Sequence, residues 1–183
     1  MIIGVSGYAR AGKDSLAEIL VKDMEFERVA FADVLRQVLY TLNPFIAPWT
    51  DLKSVVDEHG WEYAKTQGPV SQYQEVRRLL QTLGTDVGRG MFGPNFWVNS
   101  LFQSLDLTKK QYVISDVRFP NEADAVKDVG GRVVRVERPG TDPVNSHPSE
   151  VALDGYPFDA IFNNDDTLEH LRIMVTRWTG ALL

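Results

Sequence analysis

A three-layer α/β fold, with a parallel β-sheet of about five strands flanked by helices, is what this 183-residue sequence predicts. Three observations predict it. Short apolar, β-branched runs read as buried strands. Segments with helical spacing alternate with those runs, and parallel strands need such crossovers. Glycines or charged residues follow several strands at once, where ligands of parallel sheets sit.

In order, MIIGVS is the first buried strand, and KDSLAEILVKDM sets Leu16, Ile19, Leu20 and Met24 at helical spacing. FERVAFA, residues 26–32, predicts a second strand. DVLRQVLYTL predicts a helix with Asp33 as its N-cap and Pro44 beyond its end. From Pro44 to Ser71 no period survives the prolines, glycines and tryptophans, so an irregular excursion is expected, with one helix around KSVVDEHGWEYA. QEVRRLLQTLGTD places Val76, Leu79, Leu80 and Leu83 on one helical face and is expected to stop at Gly84. NFWVNSLFQSL is another amphipathic helix.

QYVISDVRFP carries the buried strand YVIS. PNEADAVKDVGG begins a helix on proline and ends it on glycine. RVVRVERPG is a strand closed by a Pro-Gly turn, residues 140–157 a mobile loop, FDAIFNND the last strand and TLEHLRIMVTRW the last helix. The chain reads as one domain, 1–183, with an irregular or helical insertion at about 40–105 on the ligand side.

Composition narrows the function. Hydrophobic residues are 44% and charged residues 24%, an ordinary soluble balance. A net charge of -6 argues against a nucleic-acid partner. There is no cysteine, which excludes disulfides, thiolate metal sites and a thiol nucleophile. Three scattered histidines make no histidine metal site. No run reaches the ~20 apolar residues of a membrane span, and the N-terminus lacks the pattern of a signal peptide. A cytosolic protein without membrane attachment is expected.

Chemistry concentrates first in GYARAGKDS. Gly7, four residues, Gly12 and Lys13 match the opening of the P-loop, in which backbone N–H groups cradle phosphates and the lysine bridges them. The loop follows a strand and opens a helix, as that geometry requires. A hydroxyl expected after Lys13 is displaced by one: Asp14 intervenes and Ser15 follows, available to phosphate or Mg²⁺. Arg10, within the loop, can donate to a transferring phosphoryl group.

ISDVRFPNE is the second constellation. Asp116 at a strand end is a metal-side carboxylate, Arg118 a phosphate ligand, and Glu122 a partner for a sugar hydroxyl or an orienting group for Arg118. Arg77 and Arg78 diverge by ~100° on their helix, so one of them faces a cleft; arginine suits bidentate phosphate recognition. Arg36 and, more weakly, Lys53 are further cations. Trp97 serves either base stacking or the core. Arg138 and the His147/Glu150 loop stand as segments able to close over a nucleotide. The motifs after Ser6, Ser115 and Phe162 all fall at strand ends and are expected to share one cleft.

Together, SGYARAGKDS, VRRLLQTLGTD with FWV beyond it, SDVRFPNEADA, VVRVERPG with HPSE, and IFNNDDTLEHL make the chain similar to the deoxynucleoside monophosphate kinases of tailed bacteriophages. These are a branch of the P-loop kinases and also carry Asp after the P-loop lysine. The resemblance implies a P-loop kinase fold and transfer of the ATP γ-phosphoryl group to a deoxynucleoside monophosphate with Mg²⁺. By motif, Ala11, Gly12, Lys13, Asp14 and Ser15 would bind ATP. Arg36, Arg77, Gly84, Thr85, Trp97, Asp116, Arg118 and Glu122 would bind the monophosphate. Lys13, Arg10, Asp116 and Arg118 would serve the transfer, and Ser15 and Asp116 the metal. Host cytoplasm is the implied location for a phage-encoded enzyme, and a homodimer is an assembly kept open. Rival readings are a kinase of another phosphorylated acceptor (a phosphomevalonate or dephospho-coenzyme A kinase) and a nucleotide-binding scaffold without turnover. The Asn-Lys-x-Asp guanine motif of GTPases is absent.

Overall fold

The structure, a computed structural model, describes residues 1–142 and 151–182. It divides into two compact units, one of Met1–Phe31 with Phe102–Leu183, the other of Ala32–Leu101.

In the first unit, β1 (Ile2–Ser6), β2 (Glu27–Val29), β5 (Tyr112–Ile114), β6 (Arg132–Glu137) and β7 (Ala160–Asn163) form one sheet in the order β2-β5-β1-β6-β7. Every neighbouring pair is parallel, so the loops after β1, β5 and β7 leave from the same edge. Against one face, α1 (Lys13–Met24) and α8 (Leu168–Gly180) pack Leu16, Leu20, Leu171 and Val175 onto Ile3, Val5, Val113, Val134 and Val136. Each such fully buried aliphatic side chain contributes roughly 1.5–3 kcal/mol of transfer free energy. The other face carries α7 (Pro120–Asp128), drawn in closely because Gly4 has no side chain. A Cβ there would fall 2.9 Å from Val117 Cγ2 and 3.3 Å from Val126 Cγ2. Helix, sheet, helix makes the three predicted layers.

One boundary differs from expectation. The second strand spans only Glu27–Val29, and α2 (Phe31–Leu42) begins before Asp33. The Phe31 N–H donates 2.8 Å to Asp116 Oδ1, so an oxygen from the far end of β5 caps the first turn. Asp33 lies inside that turn, ion-paired with Arg36 at 3.0 Å.

The second unit is more regular than the sequence suggests. Its excursion is a hairpin, β3 (Phe45–Ala47) with β4 (Thr50–Asp51), followed by α3 (Leu52–Thr66). Asp51 caps α3 by accepting from the Ser54 N–H at 3.1 Å, and Gly60 (φ 81, ψ 167) breaks the helix near its middle. Helix α4 (Val70–Gln81) packs Val76 with Leu39, Ile46 and Leu52, against which Leu79, Leu80 and Leu83 also lie. Gly84 does not end the helix. A π-helical segment, Thr82–Arg89, carries it on into α5 (Gly90–Phe92), and α6 (Phe96–Ser104) follows. The wide turn matches the neighbourhood of Trp97. The indole N–H donates 2.9 Å to the Gly84 carbonyl, and a Cβ on Gly88 would fall 2.2 Å from Trp97 Nε1. Among the described residues no helix is long and apolar enough to cross a membrane.

Candidate active site

Residues 7–12 fold back over the end of β1, and the glycines at both ends of the loop are sterically required. Gly7 has φ 144 and would place a Cβ 2.4 Å from the Val136 carbonyl oxygen. Gly12 has φ 110 and would place one 2.4 Å from Asn164 Nδ2. Both conformations are available to glycine at little cost and strain any other residue. Arg10 sits exposed at the tip with φ 64. Lys13 is the first residue of α1, whose N-terminus has no side-chain cap. Its ammonium donates to the carbonyls of Gly7 at 2.8 Å and Tyr8 at 2.7 Å. Half-buried Ser15 and exposed Asp14 occupy the same first turn, where the helix dipole favours anions.

Lys13 and Arg118 line one cavity, together with Ser6, Gly7, Val117 and Arg135. The loops after β1 and β5, predicted separately, therefore meet. The loop bearing Arg118 is held from below by Glu122, a side chain only 3% exposed. Its Oε2 accepts from the backbone N–H groups of Arg118 at 2.7 Å and Phe119 at 3.1 Å. Glu122, read from the sequence as a partner for a sugar hydroxyl or an orienting group for Arg118, thus contacts the Arg118 backbone. The third strand end joins through Asn164, whose Nδ2 donates 2.9 Å to the Ala11 carbonyl.

Several polar partners of this site escaped the sequence reading. Asp14 is ion-paired with Arg28 of β2, and Arg28 Nε donates 3.1 Å to Ser115 Oγ. Arg135 is buried in β6, its side chain 8% exposed. It contacts Asp154 at 3.0 Å through Nη2, lies 3.0 Å from Glu137 Oε1 through Nε, and sits 4.6 Å from the Tyr8 ring centroid. The Tyr8 hydroxyl donates to the same Asp154 carboxylate at 2.8 Å. Burial first, and then that carboxylate, raise the Tyr8 hydroxyl above its ordinary value, so it remains a neutral donor. The available signal was an arginine interrupting an apolar strand, since such a charge is rarely buried unless paired.

Within the second unit, Arg36 and Arg77 both act on Glu62. Lys65, by hydrogen bond and charge, is the first cause holding that carboxylate below its usual range, and Arg36 and Arg77 add to it. Arg77 Nε donates 2.8 Å to the Lys65 carbonyl, while Arg78 turns away to Glu75. This fits the expected divergence of the two arginines. Thr85 is exposed on the π-helical segment. Trp97, expected to stack on a base or to serve the core, is 5% exposed and edge-on to Phe96. Lys53 lies over the Tyr40 ring. His147 and Glu150 lie outside the described residues.

No group of three or more His, Asp or Glu side chains able to hold a metal occurs among the described residues. Mg²⁺ does not require one: it takes one or two protein oxygens beside phosphate and water. The Ser15 hydroxyl and Asp116 carboxylate are oxygen donors of that kind.

The model of the deoxynucleotide monophosphate kinase family matches residues 62–175, well over half of the chain. A putative deoxynucleotide monophosphate kinase of Acanthamoeba polyphaga mimivirus is 30% identical over 92% of this chain and 91% of its own length. The deoxynucleotide monophosphate kinase of Enterobacteria phage T4 is 37% identical over 52% of this chain, an alignment spanning only 42% of the phage protein. Among solved structures, dephospho-CoA kinase from Campylobacter jejuni aligns over 98% of this chain and 96% of its own, with TM-score 0.51 and 13% identity. That likeness concerns the fold, which is that of the P-loop kinases.

Proposed function

Since the chain belongs to the deoxynucleotide monophosphate kinase family, we propose that it transfers the γ-phosphoryl group of ATP to the 5′-phosphate of a deoxynucleoside monophosphate. The observation carrying this reading is the cavity that Lys13 shares with Arg118 at the mouth of the Gly7–Lys13 loop. Two cations on adjacent strand ends, beside an uncapped helix N-terminus, favour a highly charged phosphate chain.

In this mechanism Gly12 and Ser15, next to Ala11 and Asp14, offer backbone N–H groups to the donor phosphates, and Lys13, kept in place by the Gly7 and Tyr8 carbonyls, reaches their terminal oxygens. Arg36 and Arg77 would bind the acceptor phosphate, and Gly84 and Thr85 belong to the same acceptor-binding set. An acceptor oxygen bonds to the γ-phosphorus as the bond to the β–γ bridging oxygen breaks, giving ADP and a deoxynucleoside diphosphate. Arg118, with Arg10, stabilises the equatorial oxygens. Such positioned charge supplies most of the acceleration in phosphoryl transfer, and the ionised nucleophile needs no strong base. Mg²⁺, held by Ser15 and Asp116, would neutralise donor charge.

The test is an assay of the purified protein with ATP and Mg²⁺ against the common deoxy- and ribonucleoside monophosphates, with dephospho-coenzyme A and phosphomevalonate as contrasts. ADP formed together with a deoxynucleoside diphosphate is expected. Turnover with a contrast acceptor alone would overturn the reading.

A further inference from the structure

We propose that Arg135 is a positioning residue for the donor-binding lysine, acting through Tyr8 and Asp154; this rests on the kinase reading above. Arg135 faces the same side of the sheet as its register partner Ser6, next to the start of the phosphate loop. Removing a guanidinium from water is costly unless carboxylates and rings replace the lost hydration. Here Asp154 and Glu137 supply the charge, and Tyr8 and Phe158 stand 4.6 and 5.6 Å from the guanidinium. The Glu137 contact lacks hydrogen-bonding geometry, which leaves Arg135 Nε buried without a hydrogen-bond acceptor. The side chain is thus committed chiefly to Asp154 and the Tyr8 ring.

Tyr8 closes the cluster. Its ring covers Arg135, its hydroxyl donates to both Asp154 oxygens at 2.8 Å, and its carbonyl accepts from Lys13 Nζ at 2.7 Å. Two side chains, Arg135 of β6 and Asp154 of the segment after residue 150, therefore hold the tyrosine of the phosphate loop, and that tyrosine holds the lysine. With its two carboxylates in place, Arg135 has little net charge to offer a phosphate directly. Its effect on the reaction passes through loop geometry, and it concerns the donor alone.

The experiment compares Tyr8→Phe, Asp154→Asn and Arg135→Lys with the wild-type protein. ATP affinity is measured by titration calorimetry, and KM is measured separately for ATP and for the acceptor monophosphate. Tyr8→Phe keeps the ring and removes only the hydroxyl, so it tests the cluster without opening the core. Each variant is expected to weaken ATP binding about tenfold, the cost of one charge-assisted hydrogen bond, while the acceptor KM stays within about twofold. Tyr8→Phe combined with Asp154→Asn should cost no more than the larger single effect, because both break one contact. Wild-type ATP affinity in Tyr8→Phe and Asp154→Asn, additive losses, or equal rises in both KM values would overturn the proposal. A protein that binds ATP, loses affinity in these variants and phosphorylates no monophosphate would sink the kinase reading and leave this inference standing. Absence of ATP binding in the wild-type protein would overturn both.

Discussion

Asn164, just past β7, donates its side-chain amide 2.9 Å to the carbonyl of Ala11 in the phosphate loop. The contact spans 153 residues of sequence and also explains why position 12 is glycine, since any Cβ there would fall 2.4 Å from the same amide. Asn164→Ala is expected to cost about 1 kcal/mol of stability and to weaken ATP binding more than acceptor binding. Denaturant unfolding with calorimetric titration of each nucleotide checks it.

Lys13→Ala removes the cation at the first residue of α1, where alanine is a good helix former. Turnover should fall by about 10²–10³ with the circular dichroism spectrum unchanged. Near-normal phosphoryl transfer would refute the assignment of Lys13.

Glu62 provides a pH test of the second unit. Its carboxyl lies below the ordinary value of 4.5, from Lys65 first and then Arg36 and Arg77. A lowered folded-state value means the folded state binds its proton later than the unfolded state. The contribution is therefore present above the ordinary glutamate range and lost as pH falls through the depressed value. Arg36→Gln and Arg77→Gln should each move the Glu62 titration upward in carbonyl-detected NMR, and both should raise the acceptor KM. An unmoved titration would separate these arginines from Glu62.

Glu122→Gln should show what holds Arg118. The buried carboxylate accepts two backbone N–H groups. Losing the charge from those bonds should cost about 1–3 kcal/mol and lower kcat, with ATP affinity little changed. Chemical denaturation and steady-state kinetics measure the two effects.

Gly88→Ala tests the Trp97 packing. The added methyl would meet the indole at 2.2 Å, and overpacking of this kind costs about 1–3 kcal/mol. Thermal unfolding should register the loss, and a blue or red shift in Trp97 emission should accompany it.

Much of this architecture was written locally. The apolar runs at Ile2–Ser6 and Arg132–Glu137 and the periodic helix at Lys13–Met24 lie where the sequence puts them. Strand identity and helical periodicity depend on neighbours a few residues away. The phosphate loop was legible for the same reason, because its glycines and lysine act through a short stretch of backbone. The hairpin at 45–51 was not, because its strands are short and their pairing is decided by burial of Ile46 against Leu39, Leu52 and Val76.

The sequence alone determined the layered α/β class, the phosphate loop and the arginines available to it, since composition, period and motif spacing carry that information. Only the tertiary structure decided that Asp116 caps Phe31, that Glu122 holds the Arg118 backbone, that Trp97 belongs to the core, and that Arg135 is enclosed by Tyr8 and Asp154. Each of these is a choice of partner for a polar or aromatic side chain. Such choices are settled by which distant groups the sheet order brings within about 3 Å, and no local pattern in the chain records that.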